Sequence, residues 1–321
     1  MERSSVSAPR RIWQALKPRP QNLGTEQEQD QVKPSEQPLS MVALDQQGLF
    51  VIGAARSGTT VFQNALNSSS EIFLLGEPVL QKDPGTADFA ARYNAMHRSW
   101  GNQENKSSFC PPLLTADGTW QDYLTQLATL YRYVGSKIVV NPEHARQTCQ
   151  ELFEFHCRHF YRSHYVFTFR NPIDVLMSTR GLAELLGSKA ESYEVVLKSF
   201  LHVIALYIRF LRNLPNVAAV FHEDIGQEVF QRTGEWLGAD LDNASEYYDQ
   251  TRVRHYTLEE VPEHSRELAI SVIEIYQDLR GQNAEGVRLV QLEQNSNHIL
   301  ATHFTPLGAL HKRIEQILGT P

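Results

Sequence analysis

The sequence has few cysteines, no long apolar run and no excess of basic residues, and each absence narrows the possible functions. Its three cysteines are too few and too irregularly spaced for a disulfide framework, which favours a reducing compartment. No apolar stretch approaches the roughly 20 residues of a membrane span, and residues 1–20 contain no signal-peptide core. The net charge of −7 argues against general binding to nucleic acid. We therefore expect a cytoplasmic protein with no transmembrane segment and no nucleic-acid partner.

The chain divides by composition into a polar segment and a longer part that can form a core. Residues 1–46 are rich in Gln, Glu, Pro and Ser, and such a segment buries too little apolar area to offset the entropy of ordering. We predict a disordered polar tail over residues 1–46 and a single domain over residues 47–321. Residues 81–118 contain several prolines and glycines, and we expect them to form an irregular insertion or flap beside the site.

Short apolar runs alternate with helical patterns over the rest of the chain. The runs predict buried strands over residues 48–53, 72–75, 137–140, 165–169 and 217–221. The helical patterns cover residues 59–68, 142–160, 172–186, 193–211, 226–237, 258–280 and 307–318. This alternation predicts an α/β fold, with a mostly parallel sheet flanked by helices and a helical C-terminal part. Ligands of such sheets bind beyond the carboxyl ends of the strands.

The stretch FVIGAARSGTTVFQNAL, residues 50–66, begins like a phosphate-binding P-loop and then departs from it. Gly53 and Gly58 have the Walker spacing, but Thr59 stands where the Walker lysine would be. The glycine-rich loop and the helix that begins at Thr59 together predict an anion cradle. Arg56 can supply the missing positive charge. The loop therefore suits a group with less charge than a triphosphate, bound without an obligatory metal.

A second anion site is predicted in FTFRNPIDVLMSTR, residues 167–180. Arg170 follows the fourth predicted strand, and Asn171 is suited to cap the next helix. Ser178 lies on that helix, about 9 Å beyond its first residue at ~1.5 Å per residue. A long arginine side chain from the strand end and this hydroxyl can therefore converge on one phosphate group.

The two motifs, GAARSGTT and FRNPIDVLMSTR, resemble those of sulfotransferases that use 3′-phosphoadenosine 5′-phosphosulfate (PAPS), which have a P-loop-type α/β fold. The resemblance covers roughly residues 48–240 and includes VFHEDI at 220–225. It implies transfer of a sulfuryl group from PAPS to an acceptor hydroxyl, such as that of a carbohydrate or glycolipid. It also implies that Arg170 and Ser178 hold the 3′-phosphate of PAPS. The residues implied to hold the phosphosulfate are Ala55, Arg56, Ser57, Gly58, Thr59 and Thr60.

Sulfuryl transfer needs a base for the acceptor's proton and cations for the charge that develops on the leaving oxygen. Glu77, in LLGEP after the second predicted strand, resembles the glutamate base of protein-tyrosine and some bacterial carbohydrate sulfotransferases. Arg56 and Lys137 are the candidate catalytic cations. Related enzymes have a lysine where this chain has Val140, and the odd offset places Lys137 on the opposite face of the strand. Either the strand bulges there or Lys137 is not catalytic.

Other histidines and acidic residues are weaker candidates. The groups at 222–224 and 156–159 lack a convincing zinc spacing, so we expect no metal. Asp224 is expected to cap the following helix, and His144 is a candidate for contact with the acceptor or the cofactor. Two alternative functions stay open, a P-loop kinase that uses Mg-ATP and a non-catalytic nucleotide-binding relative. The kinase would need a lysine from elsewhere in the chain.

Overall fold

The apolar runs form a central sheet whose strands are covered on both faces, which is why they read as nearly continuous apolar segments. The computed structural model describes residues 41–100, 117–248, 253–282, 290–291 and 297–319. Within these residues the strands are β1 (Gly48–Ala54), β2 (Ile72–Gly76), β3 (Tyr133–Val140), β4 (His164–Phe169), β5 (Asn216–Phe221) and β6 (Val290–Gln291). All 7 residues of β1 are buried, as expected for a strand in the middle of a covered sheet.

The strand order places the end of β1 at the crevice where α/β sheets bind ligands. The order is β2-β3-β1-β4-β5-β6. Strands β1 to β5 are parallel, and the short β6 is antiparallel to β5. Strands β3 and β4 flank β1 on its two sides, so the loop that follows β1 meets the carboxyl ends of both neighbours.

Helices cover the two faces of the sheet. They are α1 (Met41–Gln47), α2 (Thr59–Leu66), α3 (Phe89–Trp100), α4 (Trp120–Ala128), α5 (Ala145–His159), α6 (Pro172–Leu185), α7 (Tyr193–Asn213), α8 (Gln227–Leu237), α9 (Glu263–Gln282) and α10 (Asn297–Leu318). Helices α5, α7 and α9 pack on the face with the larger apolar core, and α2 and α8 pack on the other face. Phe62 of α2 stacks on Phe230 of α8, with ring centroids 5.6 Å apart. Burial of each ring contributes about 1.5–3 kcal/mol, which holds α2 in place.

The five predicted strands are confirmed, although β3 begins at Tyr133, four residues before the predicted start. The predicted helices are also present, but two of them are interrupted. The helix predicted over 142–160 starts with a 3₁₀ turn at Pro142–His144, and a 3₁₀ turn at Leu258–Glu260 precedes α9. Residues 81–118 are not wholly irregular as predicted, since they contain α3, and residues 101–116 lie outside the described residues.

Helix α1 overlaps the end of the segment predicted as a polar tail. Leu44 in this helix is buried in the core, so the packed part of the chain begins before residue 47. Residues 1–40 lie outside the described residues. Across the parts of the chain that are described, no helix combines the length and the apolar character needed to cross a membrane.

Candidate active site

The loop between β1 and α2 turns sharply because two of its residues have left-handed backbone. Arg56 has φ 69° and Gly58 has φ 93°. A Cβ atom on Gly58 would lie 2.5 Å from Cδ2 of His222, so this position needs glycine. Ser57 Oγ lies 3.1 Å from Thr168 Oγ1 of β4, and both groups are buried. This contact fixes the loop against the sheet.

The start of α2 presents backbone N–H groups to the same crevice. Gly58 is the N-cap residue, and Thr59 and Thr60 begin the first turn. The first N–H groups of a helix have no acceptor within the helix, and the helix dipole adds positive potential there. The N–H of Ala55 is different, because it donates to the carbonyl of Val140 at 3.1 Å. Ala55 therefore shapes the loop but offers no free amide to a ligand.

The side chain of Arg56 extends to α6. Its Nε donates to Ser178 Oγ at 3.0 Å. The pKa of Arg56 is lowered, first by partial burial and then by the nearby charge of Arg170. The sequence predicts Arg56 as the substitute for the Walker lysine, but in the structure its side chain lies beside Arg170 and Ser178, the residues of the second predicted anion site.

Arg170, at the end of β4, is nearly buried and only partly satisfied. Its Nη2 donates to the carbonyl of Arg254 at 2.6 Å and lies 3.4 Å from Asp174 Oδ2. Its Nε is buried and has no hydrogen-bond partner among the described residues. An unpaired donor of a charged group costs free energy when it is buried. An anion held beside Arg170 would recover that cost.

A cavity of about 430 Å³ joins these groups. Its lining includes Arg56, Arg170, Ser178, Arg254 and Tyr256. The guanidinium groups of Arg56 and Arg170 and the hydroxyl of Ser178 meet at this cavity, and such a group of donors suits an anion with more than one negative charge. Arg254 also lines the cavity, and the sequence contains no local signal for it.

The buried carboxylate of Asp174 holds the segment 253–257 beside this cavity. Its Oδ1 accepts a hydrogen bond from the N–H of Tyr256 at 2.8 Å, and its Oδ2 lies 3.0 Å from Nδ1 of His255. The same Oδ2 is the partner of Arg170. Asp174 therefore orients both Arg170, from β4, and the chain that carries Arg254.

The residues around this site differ in how well the sequence anticipates them. Asn171 Oδ1 accepts from the N–H of Ile173 at 2.9 Å, which confirms the predicted cap of α6. The prediction that Asp224 caps α8 is wrong, because Asp224 pairs with Arg280 and the N-cap residue Gly226 has no side-chain cap.

Glu223 also has a structural role. Its Oε1 accepts from the N–H of Asn171 and its Oε2 from the hydroxyl of Tyr276, each at 2.6 Å. These bonds tie the end of β5 to α6 and α9. Among the described residues, no three histidine, cysteine or acidic side chains are grouped so that they could hold a metal ion.

Glu77 and Lys137 meet beside the start of α2. Lys137 Nζ lies 2.7 Å from Glu77 Oε1 and donates to Thr60 Oγ1 at 2.8 Å. The lysine side chain is 4% exposed, whereas that of Glu77 is 25% exposed. The ammonium group of Lys137 therefore reaches the first turn of α2, and the carboxylate of Glu77 keeps access from outside.

The predicted odd offset is present, because Lys137 and Val140 face opposite sides of β3, but it does not keep Lys137 away from the loop. Strands β1 and β3 pair in regular register from Gly48 and Val134 to Ala54 and Val140, without a bulge. Val140 faces the larger core. Lys137 is on the opposite face, and this is the face that carries α2. The face of β3 that approaches the loop is therefore the one with Lys137, not the one with Val140.

A second cavity, of about 260 Å³, opens beside Glu77 and Lys137. Val79 and His144 line it, and the side chain of His144 is largely exposed. Glu77 and Val79 both have left-handed backbone, with φ 51° and 50°. Backbone strain of this kind concentrates at functional sites. The cavity is therefore the candidate binding site for a second substrate.

Comparison with known proteins returns one family. The family model described as the sulfotransferase family matches residues 48–230, more than half of the chain. No curated protein matches significantly.

Three solved structures of sulfotransferases match the chain at low sequence identity. A sulfotransferase domain from the olefin synthase of Synechococcus PCC 7002 is 16% identical, with a TM-score of 0.47 over 71% of this chain and 94% of that chain. A sulfotransferase from Mycobacterium avium is 14% identical, with a TM-score of 0.45 over 73% of this chain and 76% of that chain. A sulfotransferase from Alicyclobacillus acidocaldarius is 15% identical, with a TM-score of 0.40 over 71% of this chain and 94% of that chain.

Proposed function

Because the chain belongs to the sulfotransferase family, we propose that it transfers a sulfuryl group from PAPS to an acceptor hydroxyl, such as that of a carbohydrate or glycolipid. The family match confirms the resemblance found in the sequence, and the parallel sheet flanked by helices has the α/β architecture that the resemblance implies. The donor, the acceptor class and the roles of single residues below are part of the proposal.

The observation that carries the proposal is the convergence of Arg56, Arg170 and Ser178 on one cavity. Arg56, Arg170 and Arg254 line it together with Ser178. The pKa of Arg56 is lowered first by burial and then by the like charge of Arg170. A 3′-phosphate would neutralise the cluster through paired N–H donors. It would also offer an acceptor to the unpaired Nε of Arg170.

The loop and the start of α2 suit the phosphosulfate end of the same cofactor. PAPS, when bound, supplies an activated sulfuryl group whose departure leaves new negative charge on a phosphate oxygen. The N–H groups of Gly58, Thr59 and Thr60 lie where they can bind that oxygen. The ammonium group of Lys137, 2.8 Å from Thr60 Oγ1, adds a full positive charge at the same helix end. Lys137 thus takes the role that the sequence analysis gave to Arg56.

Glu77 is the proposed general base. Its carboxylate lies at the cavity beside the phosphate loop and is partly exposed, so an acceptor hydroxyl can reach it. The ion pair with Lys137 fixes the direction of the carboxylate. We assign Glu77 to remove the proton from the acceptor hydroxyl as the new bond to sulfur forms.

A kinase that uses Mg-ATP is the second candidate, and one observation favours it. A kinase needs a lysine at the loop, where this chain has Thr59. Lys137 of β3 places an ammonium group beside Thr60 and could serve as that lysine. The acidic residues after β5 weigh against this candidate, because Glu223 and Asp224 are already engaged by Asn171, Tyr276 and Arg280. The family match weighs against it as well.

The substitution Glu77→Gln tests the assignment of the base. We expect it to leave 3′,5′-ADP binding intact and to lower turnover with radiolabelled PAPS by about 10²–10⁴-fold, the usual contribution of a general base. Glu71→Gln is the matched control, because Glu71 lies at the opposite end of β2 and contacts Arg132 and Asp240 instead. Unchanged turnover in Glu77→Gln would reject Glu77 as the base.

A further inference from the structure

The cavity beside Glu77 is lined on its buried side by two polar side chains, Ser136 of β3 and His156 of α5. Ser136 is 1% exposed, and its Oγ has no hydrogen-bond partner among the described residues. A buried hydroxyl without a partner costs free energy. The position therefore calls for a partner from outside the chain, either a ligand group or a water molecule.

The hydrogen bonds around His156 determine which of its nitrogens carries the proton. The hydroxyl of Tyr165 donates to the carbonyl of Phe160. The oxygen of that hydroxyl is left to accept, and Nδ1 of His156 lies 3.2 Å from it, so Nδ1 is the protonated nitrogen. Burial lowers the pKa of His156 to about 3, so the ring is neutral near pH 7. Its Nε2 is then a hydrogen-bond acceptor.

Ser136 and His156 lie on the same side of the sheet and share a neighbour. Ser136 is the register partner of Phe50 in the pairing of β3 with β1. The ring of Phe50 packs edge-on against His156, with centroids 4.5 Å apart. Lys137 faces the other side of the sheet, where it meets Glu77. The same cavity is nevertheless lined by Glu77, the proposed base, and by both members of the buried polar pair.

The chemistry of this pair selects the group that can bind there. Ser136 can donate or accept a hydrogen bond, whereas neutral His156 can only accept through Nε2. A carboxylate or a sulfate has no hydrogen to give to Nε2 and would be buried as an unpaired charge. An ammonium group would also be buried beside neutral partners. A hydroxyl group both donates and accepts, so it satisfies both residues.

We propose that Ser136 and His156 form a second hydroxyl-binding position, and that the acceptor is a neutral polyol with one hydroxyl there and another at Glu77. This inference rests on the proposed function, because the reacting hydroxyl is the one assigned to Glu77. It excludes simple alcohols, phenols and amines as preferred acceptors, since none of them can fill both positions.

The first test compares matched acceptors with the unmodified protein. Transfer from radiolabelled PAPS is measured to neutral polyols (methyl glucoside, methyl galactoside, myo-inositol and glycerol), to cyclohexylmethanol and to 4-nitrophenol. Cyclohexylmethanol has the ring and the primary alcohol of a methyl glycoside but lacks its other hydroxyls. We expect at least one polyol to exceed both single-hydroxyl compounds about tenfold in kcat/KM. Equal or better use of either single-hydroxyl compound would overturn the inference.

The second test removes the buried hydroxyl. Ser136→Ala should raise KM for the preferred polyol about five- to tenfold, with kcat and 3′,5′-ADP affinity unchanged, because the lost bond is the same in the ground and transition states. Ser199→Ala is the control, since Ser199 is equally buried but donates to Val196 within α7. An unchanged KM in Ser136→Ala would mean that the hydroxyl holds only water, and it would overturn the inference.

Failure of the second hydroxyl position and failure of the proposed function would give different results. Binding of 3′,5′-ADP without transfer to any polyol would overturn the second hydroxyl position but leave the cofactor assignment intact. Absence of 3′,5′-ADP binding would contradict the proposed function, and the inference would fall with it. The comparison of acceptors uses no variant, so it decides the question even if Ser136→Ala folds poorly.

Discussion

The ion pair between Lys137 and Glu77 predicts that its two halves contribute unequally to stability. The lysine side chain is 4% exposed and the glutamate side chain 25% exposed. In Glu77→Ala the ammonium group stays buried and keeps the hydroxyl of Thr60 as its remaining contact. Removal of one partner from a buried pair costs about 3–5 kcal/mol. In Lys137→Met the carboxylate can still be hydrated, and the methionine fills most of the lysine's volume, so we expect a loss of about 1 kcal/mol.

Urea unfolding of both single variants and of the double variant measures these losses by linear extrapolation. We expect Glu77→Ala to be about 2 kcal/mol less stable than Lys137→Met. The double variant Glu77→Ala/Lys137→Met should be more stable than Glu77→Ala alone, because it leaves no unpaired buried charge. Residue 77 has left-handed backbone, with φ 51°. This conformation costs alanine and glutamate a similar free energy, so it does not contribute to the difference between the variants. Equal losses in the single variants, or losses that simply add in the double variant, would refute the reasoning.

Three other predictions follow from the geometry. Arg254→Ala should weaken 3′,5′-ADP binding about 10- to 100-fold, the loss of a hydrogen bond to a charged group, while 5′-AMP, which lacks the 3′-phosphate, should bind as before in calorimetry. Gly58→Ala should lower the free energy of unfolding by more than about 2 kcal/mol, measured in urea, because the position has φ 93° and the new Cβ would lie 2.5 Å from the His222 ring. Burial lowers the pKa values of His164 and His222 to about 4 in the folded chain. In the unfolded chain both imidazoles have a pKa of ~6.5. Between pH ~6.5 and about pH 4 the unfolded chain therefore binds more protons than the folded chain. Stability should therefore fall between these pH values, and His164→Gln should reduce the slope by about one proton.

Each of these predictions has a control or a contradicting result. Arg232→Ala removes an exposed arginine that pairs with Glu228 on α8, and it should leave both affinities unchanged. Gly187→Ala places a methyl group in open space at φ 63°, so it should cost only the roughly 1 kcal/mol of left-handed backbone. Equal destabilisation by Gly187→Ala and Gly58→Ala would contradict the contact with His222. A stability that stays flat from pH 6.5 to pH 4 would contradict the pKa shifts.

The fold and the course of the loop between β1 and α2 could be predicted because their signals are local. Apolar runs, the glycines of the loop and the cap residue Asn171 each specify the backbone near their own position, and the structure has them there. The alternation of strands and helices then determines that the loop ends up at the edge of a parallel sheet.

The arrangement of side chains in the site could not be predicted in the same way. Strand alternation places Lys137 opposite Val140, as the structure has it, but it does not tell which face of β3 carries α2. Arg56 donates a hydrogen bond to Ser178, which is 122 residues away in sequence. Arg170 donates to the carbonyl of Arg254, which is 84 residues away. Contacts over such separations depend on the assembled fold, and no local pattern specifies them.

The central claim is that the site binds a nucleotide with a separate 3′-phosphate, and calorimetric titration tests it most directly. The protein is titrated in parallel with 3′,5′-ADP, with ADP and with Mg-ATP. We expect 3′,5′-ADP to bind at least tenfold more tightly than ADP, because only the former has a phosphate for Arg56, Arg170 and Arg254. Binding of Mg-ATP with no binding of 3′,5′-ADP would contradict the sulfotransferase mechanism and would favour the kinase.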